Sequence, residues 1–164
     1  MSARPVVVPT AVYLPQWLSI GLGEVGVRED TRPGKSTPRI EQYHAITRAG
    51  AAVDDVPWCA SFVGWVLEMS GIASTKSKAA ASYLSWGKSC DLQVGCVVVF
   101  GKADKDAGGT GHVGFCMGVS ADEVFVLGGN QSNRVGIDVR RRAQVVASRW
   151  PHALELPDGT TAAE

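Results

Sequence analysis

The hydrophobic pattern of this chain changes period once, near Val94, and that switch constrains the fold more than any single motif. Upstream, apolar residues recur at helical spacing, with Leu14, Trp17, Leu18 and Leu22 in residues 14–23 and Ile40, Tyr43 and Ile46 in residues 38–49. Residues 28–37, which include Pro33-Gly34, read as the loop between them. A third helix is predicted over 57–70, because Pro57 suits a first helical turn, Asp54 and Asp55 stand upstream as capping acids, and Gly71 stops it. A fourth, over 78–86, ends at Gly87. Downstream, short apolar runs bounded by turn residues predict strands over 97–100, 112–119, 123–130, 135–142 and 144–150. Helices gathered ahead of a run of antiparallel strands make an α+β domain, N-terminal helices packed on a C-terminal antiparallel β-sheet.

With 164 residues the chain can build one core of ordinary size, so a single catalytic domain over 1–156 is expected, followed by a frayed tail over 157–164. Lys and Arg together number 16, as do Asp and Glu, so no charge excess favours nucleic acid as a partner. No apolar run approaches the roughly 18 residues of a membrane span, and stable membrane insertion is not expected. The opening stretch, Met1 to Pro9, has too short an apolar run for a secretory leader, which predicts synthesis in the cytoplasm without a signal peptide. The four cysteines, Cys59, Cys90, Cys96 and Cys116, lack the paired spacing of a zinc site. Free thiols are the default, with Cys90 and Cys96 close enough in sequence to pair in an oxidising compartment. No metal or cofactor is expected, and Arg140-Arg141-Arg142 reads as a solvated strand and turn.

The strand pair over 112–119 and 123–130 can be given a register. A three-residue turn at Ser120-Ala121-Asp122 sets Val119 opposite Glu123, Gly118 opposite Val124, Cys116 opposite Val126, Gly114 opposite Gly128 and His112 opposite Asn130. Alternation then sends Val113, Phe115, Met117, Val119, Phe125 and Leu127 to the core. The His112 face is small and glycine-rich, open to close approach by another element.

Three side chains stand out. Cys59 falls on the first turn of the third helix, where unpaired backbone N–H groups and the helix dipole favour a thiolate and a lowered thiol pKa. On local sequence alone a buried structural cysteine accounts for it equally well. His112 opens a strand after Gly108-Gly109-Thr110-Gly111, where an imidazole can take a thiol proton, whereas His44 lies on a mid-helix polar face and His152 near the tail. Asn130 ends the paired strand and can hold the far ring nitrogen, although asparagine beside glycine is commonly a plain turn residue. Together they make a nucleophile, a base and an orienting residue.

The segments Asp55-Val56-Pro57-Trp58-Cys59-Ala60-Ser61-Phe62-Val63, Gly95-Cys96-Val97-Val98-Val99-Phe100, Gly111-His112-Val113-Gly114-Phe115 and Leu127-Gly128-Gly129-Asn130-Gln131-Ser132-Asn133 resemble, in order, the CHAP and NlpC-type peptidoglycan hydrolases. More narrowly the chain resembles the small single-domain, endolysin-like branch of these papain-like cysteine enzymes. The resemblance covers about residues 14–150. It implies a papain-like fold with Cys59 as nucleophile, His112 as base and Asn130 as orienting residue. It further implies a substrate groove drawing on Trp58, Asp55, Glu24 and Gln131, with Glu24 and Asp55 facing an amine of the peptide. The chain departs from the pattern twice: Cys96 stands where many relatives have aspartate, and Gly128 where many have glutamate.

By that resemblance the partner is the peptidoglycan stem peptide, and the reaction is acyl transfer through a thioester, with the Cys59 backbone N–H facing the oxyanion. A protein of this kind is expected to act on the wall as a monomer, after release through a holin or injection by a contact-dependent apparatus. The second route would carry a dedicated immunity protein. A wall-binding module without catalysis is the alternative on the same fold.

Overall fold

The computed structural model describes residues 14–101 and 111–157. The opening stretch read for a leader, the glycines directly before Gly111 and residues 158–164 of the expected tail lie outside the described residues. Three α-helices precede the sheet: α1 (Gln16–Leu22), α2 (Pro38–Ala45) and α3 (Cys59–Met69). Six strands follow, β1 (Lys88–Ser89), β2 (Val97–Phe100), β3 (His112–Val119), β4 (Glu123–Gln131), β5 (Arg134–Arg141) and β6 (Val145–Trp150). They form one antiparallel sheet in the order β1-β6-β2-β3-β4-β5. The α+β architecture, helices first and sheet second, is the papain-like arrangement. Among the described residues no helix is long and apolar enough to cross a membrane.

Several boundaries differ from expectation for local reasons. α2 ends at Ala45 because a turn takes over, with the Thr47 N–H and hydroxyl both donating to the His44 carbonyl. The expected fourth helix is a short 3-10 helix, Ala80–Ser85, and the two-residue edge strand β1 was not foreseen. α3 begins at Cys59, two residues later than expected, and Asp54 does not cap it. The Asp54 carboxylate instead accepts the backbone N–H groups of Asp30 (2.7 Å) and Thr37 (2.8 Å), tying down the loop before α2.

The β3–β4 register holds in its middle and shifts near its tip. Phe115 pairs with Leu127 and Cys116 with Val126 as expected, but Gly118 pairs with Phe125 and Val119 with Val124. Met117 is the extra residue of a bulge, and the turn is one residue longer than a three-residue loop. The slip changes the facing of β3 beyond Met117 and leaves the alternation of β4 intact; Phe125, expected in the core with Leu127, is 39% exposed, and Val124 is buried with Val126.

α3 lies against β3 and β4, where Phe62 meets Phe115 edge-on with ring centroids 6.5 Å apart. α2 brings Tyr43 onto Trp58, Phe62 and Trp65, and Trp17 of α1 donates its indole N–H to the Gly95 carbonyl at 2.8 Å. Phe62, Phe115 and Leu127 are fully buried, and each such side chain contributes roughly 1.5–3 kcal/mol. Gly129 is the point of closest approach: a Cβ there would stand 2.6 Å from the Trp58 ring and 2.7 Å from Phe62 Cβ. A glycine at this position lets the first turn of α3 rest on the backbone of β4.

Candidate active site

Cys59 is the first residue of α3, and Trp58 before it provides no side-chain cap, so the N–H groups of the first turn are not taken up by one. The sulfur sits against the start of β3, where the Val113 N–H turns toward it, one residue beyond His112. Burial raises the thiol pKa, and the N–H groups of Val113, Ala60 and Cys59 and the Arg140 charge oppose it without prevailing. The expected lowering therefore does not occur in the free protein: the helix-start donors are in place, but a side chain only 5% exposed favours the neutral thiol. A base is needed to make the thiolate.

His112, the residue before Val113, is 1% exposed and lies beside the Phe100 ring, with centroids 6.0 Å apart. Its Nε2 lies 3.0 Å from Gln131 Oε1. The Gln131 amide nitrogen donates to two carbonyls, Val126 at 3.1 Å and Gly136 at 2.8 Å, so its oxygen must face the ring and accept. His112 therefore donates from Nε2, and Nδ1 carries the basic lone pair.

The orienting amide is thus Gln131, not the expected Asn130. A second bulge is the reason: Gly128 pairs with Gly136, then Gln131 with Arg134, and the extra residues shift the alternation by one. Asn130 takes the left-handed conformation there, with φ at 56°. Ser132 and Asn133, also left-handed, close the two-residue hairpin that follows. Gly128 is part of the same construction, since a Cβ on it would lie 2.7 Å from Gln131 Oε1 and 3.2 Å from His112 Nε2. The position at which many relatives carry glutamate is here filled by the Gln131 carboxamide.

The residues expected in the groove separate. Trp58 is fully buried, stacked on Tyr43 and donating its indole N–H to Glu29 Oε1 at 2.8 Å, so it supports the wall of the site from inside. Glu24 is committed to Tyr43 Oη (2.9 Å) and Arg39 (3.0 Å). Asp55 is exposed and lines a hollow of ≈ 360 Å³ with Glu29, Asp30 and Asp54. Glu29 was not foreseen. Burial raises its pKa, the Trp58 bond lowers it, and Asp54 and Asp55 raise it further. The backbone holds it there, as its N–H donates to the Asn133 carbonyl at 2.9 Å. Arg140, expected in solvent, is 8% exposed and lies over the Phe100 ring at 5.2 Å.

The family model of the CHAP domain matches residues 51–130, which span the nucleophile helix, β2, β3 and β4 up to the ring's support. The match covers just under half of the chain and agrees with a CHAP/NlpC-type domain. CHAP domains are cysteine- and histidine-dependent amidases and peptidases, a family of peptidoglycan hydrolases. The CHAP match ends one residue before Gln131, the residue that holds the ring. A search of curated proteins finds no match.

Proposed function

We propose that this chain carries a CHAP domain that cleaves an amide bond of the peptidoglycan stem peptide, with Cys59 as nucleophile and His112 as general base. The observation that carries the reading is the locked Gln131 amide, which leaves Nδ1 as the basic nitrogen of His112, the residue next to the Val113 whose N–H turns to the Cys59 sulfur. His112 Nδ1 takes the Cys59 proton, and the sulfur attacks the substrate carbonyl carbon. The oxyanion forms at the start of α3, facing the Cys59 N–H. Collapse expels the amine, which receives the proton from His112. A water then gives its proton to His112 and attacks the thioester, releasing the new carboxylate and restoring the thiol.

Glu29 and Asp55 support recognition of an amine on the stem peptide, because they place acid groups in one hollow, and Glu29 is bonded to the indole of Trp58, the residue before Cys59. In this reading the protein meets its substrate on the wall side of the membrane, by the holin-dependent route of an endolysin. The test is digestion of purified sacculi, with the new amino termini identified by mass spectrometry. The parent should release stem-peptide fragments and Cys59→Ala should release none. Equal release by both would remove Cys59 from the mechanism.

A further inference from the structure

The other three cysteines gather far along the sheet from His112. Cys96 stands at the start of β2 opposite Cys116 of β3, whose N–H donates to the Cys96 carbonyl at 2.8 Å. Cys90 follows the edge strand β1, with its N–H on the Ser148 carbonyl at 3.1 Å. The Ser148 hydroxyl touches two sulfurs, Cys90 Sγ at 3.5 Å and Cys96 Sγ at 3.3 Å. All three thiols are free and buried, and none belongs to the reaction described above. Among the described residues no group of three side chains can close on a metal ion, this cluster included.

We infer that Cys90 and Cys96 form a redox-active dithiol that closes to a disulfide when a disulfide donor reaches it. Geometry selects this pair over Cys96 and Cys116. Residues directly opposed on neighbouring strands hold their Cβ atoms about 4.5–5.5 Å apart, against the roughly 3.8 Å that a disulfide requires, and hydrogen bonds pin both strands there. Cys116 Sγ meets Cys96 as a hydrogen-bond partner and is shared with the Gly118 carbonyl of its own strand at 3.6 Å. Cys90, by contrast, stands just beyond a two-residue edge strand at the start of an irregular segment, is not ladder-paired with Cys96, and shares the Ser148 hydroxyl with it.

The step balances as thiol–disulfide exchange with a small disulfide such as oxidised glutathione. The Cys90 thiolate attacks one donor sulfur and releases a thiol, leaving a mixed disulfide. The Cys96 thiolate then attacks the Cys90 sulfur and releases the second thiol. The donor gains two electrons and the two protons lost by the cysteines. The neighbouring Cys96 thiol first, and burial second, raise Cys90, while the Cys116 contact pushes Cys96 up to about 12, so closure quickens with rising pH.

The test uses the full chain, reduced and then exposed to oxidised glutathione at alkaline pH, with denaturing alkylation and peptide mapping. A Cys90–Cys96 linkage is expected, with Cys59 and Cys116 alkylated. The linkage should persist in Cys116→Ser and vanish in both Cys96→Ser and Cys90→Ser. Thermal midpoint should rise by roughly 5 °C on oxidation only where the linkage forms. Four alkylated cysteines after exposure, or a linkage that includes Cys116 or Cys59, would overturn the inference. The readout is thiol chemistry, so it stands apart from the hydrolase reading.

Discussion

His112 and His44 are both buried imidazoles, 1% and 0% exposed, and each hydrogen-bonds a polar side chain. His112 Nε2 faces a glutamine whose amide is pinned by two carbonyls, at the start of a strand whose next residue, Val113, turns its N–H to Cys59. His44 Nδ1 meets the Ser61 hydroxyl at 2.7 Å inside the α2–α3 contact, and its Nε2 has no hydrogen-bond partner. A serine hydroxyl rotates and can donate or accept, so it fixes no tautomer. Burial and a hydrogen bond are shared by the two rings; an acceptor that cannot turn is not. His44, expected on a polar helix face, is a packing residue.

The sharpest way to erase the difference is Gln131→Leu, which leaves His112 buried without its lock. We expect kcat/KM on sacculi to fall by about 10²–10³-fold, mostly in kcat, because the wrong tautomer and a loose ring both cost proton transfer. Gln131→Glu keeps an acceptor and should shift the acid limb of the kcat/KM profile to higher pH, a change that a purely structural role for residue 131 would not produce. A fall in thermal midpoint with unaltered kcat would break the assignment.

Gly129→Ala attacks the same site from the other side. The new Cβ would stand within 2.7 Å of Trp58 and Phe62, so α3 must lift from β4, costing about 1–3 kcal/mol of stability. Cys59 moves with the helix, and activity per folded molecule should drop as well. Denaturant unfolding together with turnover measures both. An unchanged unfolding midpoint would show that α3 does not rest on this backbone.

Much of this was readable from residues. Period and turn chemistry placed β2 and β3 at their observed limits, and Cys59 and His112 stood out by position on a helix start and a strand start. The errors cluster where one residue of backbone breaks alternation. Arithmetic along β4 selects Asn130 only if the strand is regular, and a bulge centred on Gly129-Asn130 turned Gln131 inward instead. Two adjacent amides in one motif leave no compositional signal to choose between them. Asp54 misled for a similar reason, since an acid before a helix satisfies any nearby N–H, and the 28–37 loop claimed it. Glu29 and the burial of Arg140 depend on contacts between distant segments, which periodicity does not report.

The smallest effect isolates His44. Burial first and the Lys78 charge second hold its pKa below the ordinary value, with the Val56 backbone and then Asp54 opposing. Lys78 is fixed nearby on Thr47 Oγ1 and the Gly50 carbonyl. In the unfolded chain the imidazole titrates near ~6.5, so below that pH the unfolded state binds more protons than the folded one. The stability from a neutral His44 is therefore present above about pH 6.5 and is lost as pH falls, by at most about 1.4 kcal/mol per pH unit. His44→Gln keeps a polar contact for Ser61 and removes the titration. It should cost about 1–2 kcal/mol at neutral pH and flatten the fall in unfolding midpoint between about pH 7 and about pH 5. Catalysis supplies the control, because kcat of the folded variant should stay near the parent's. Parallel stability curves for parent and variant would show that this imidazole does not titrate with folding, and a large loss of kcat would mean that the contrast between the two rings is drawn in the wrong place.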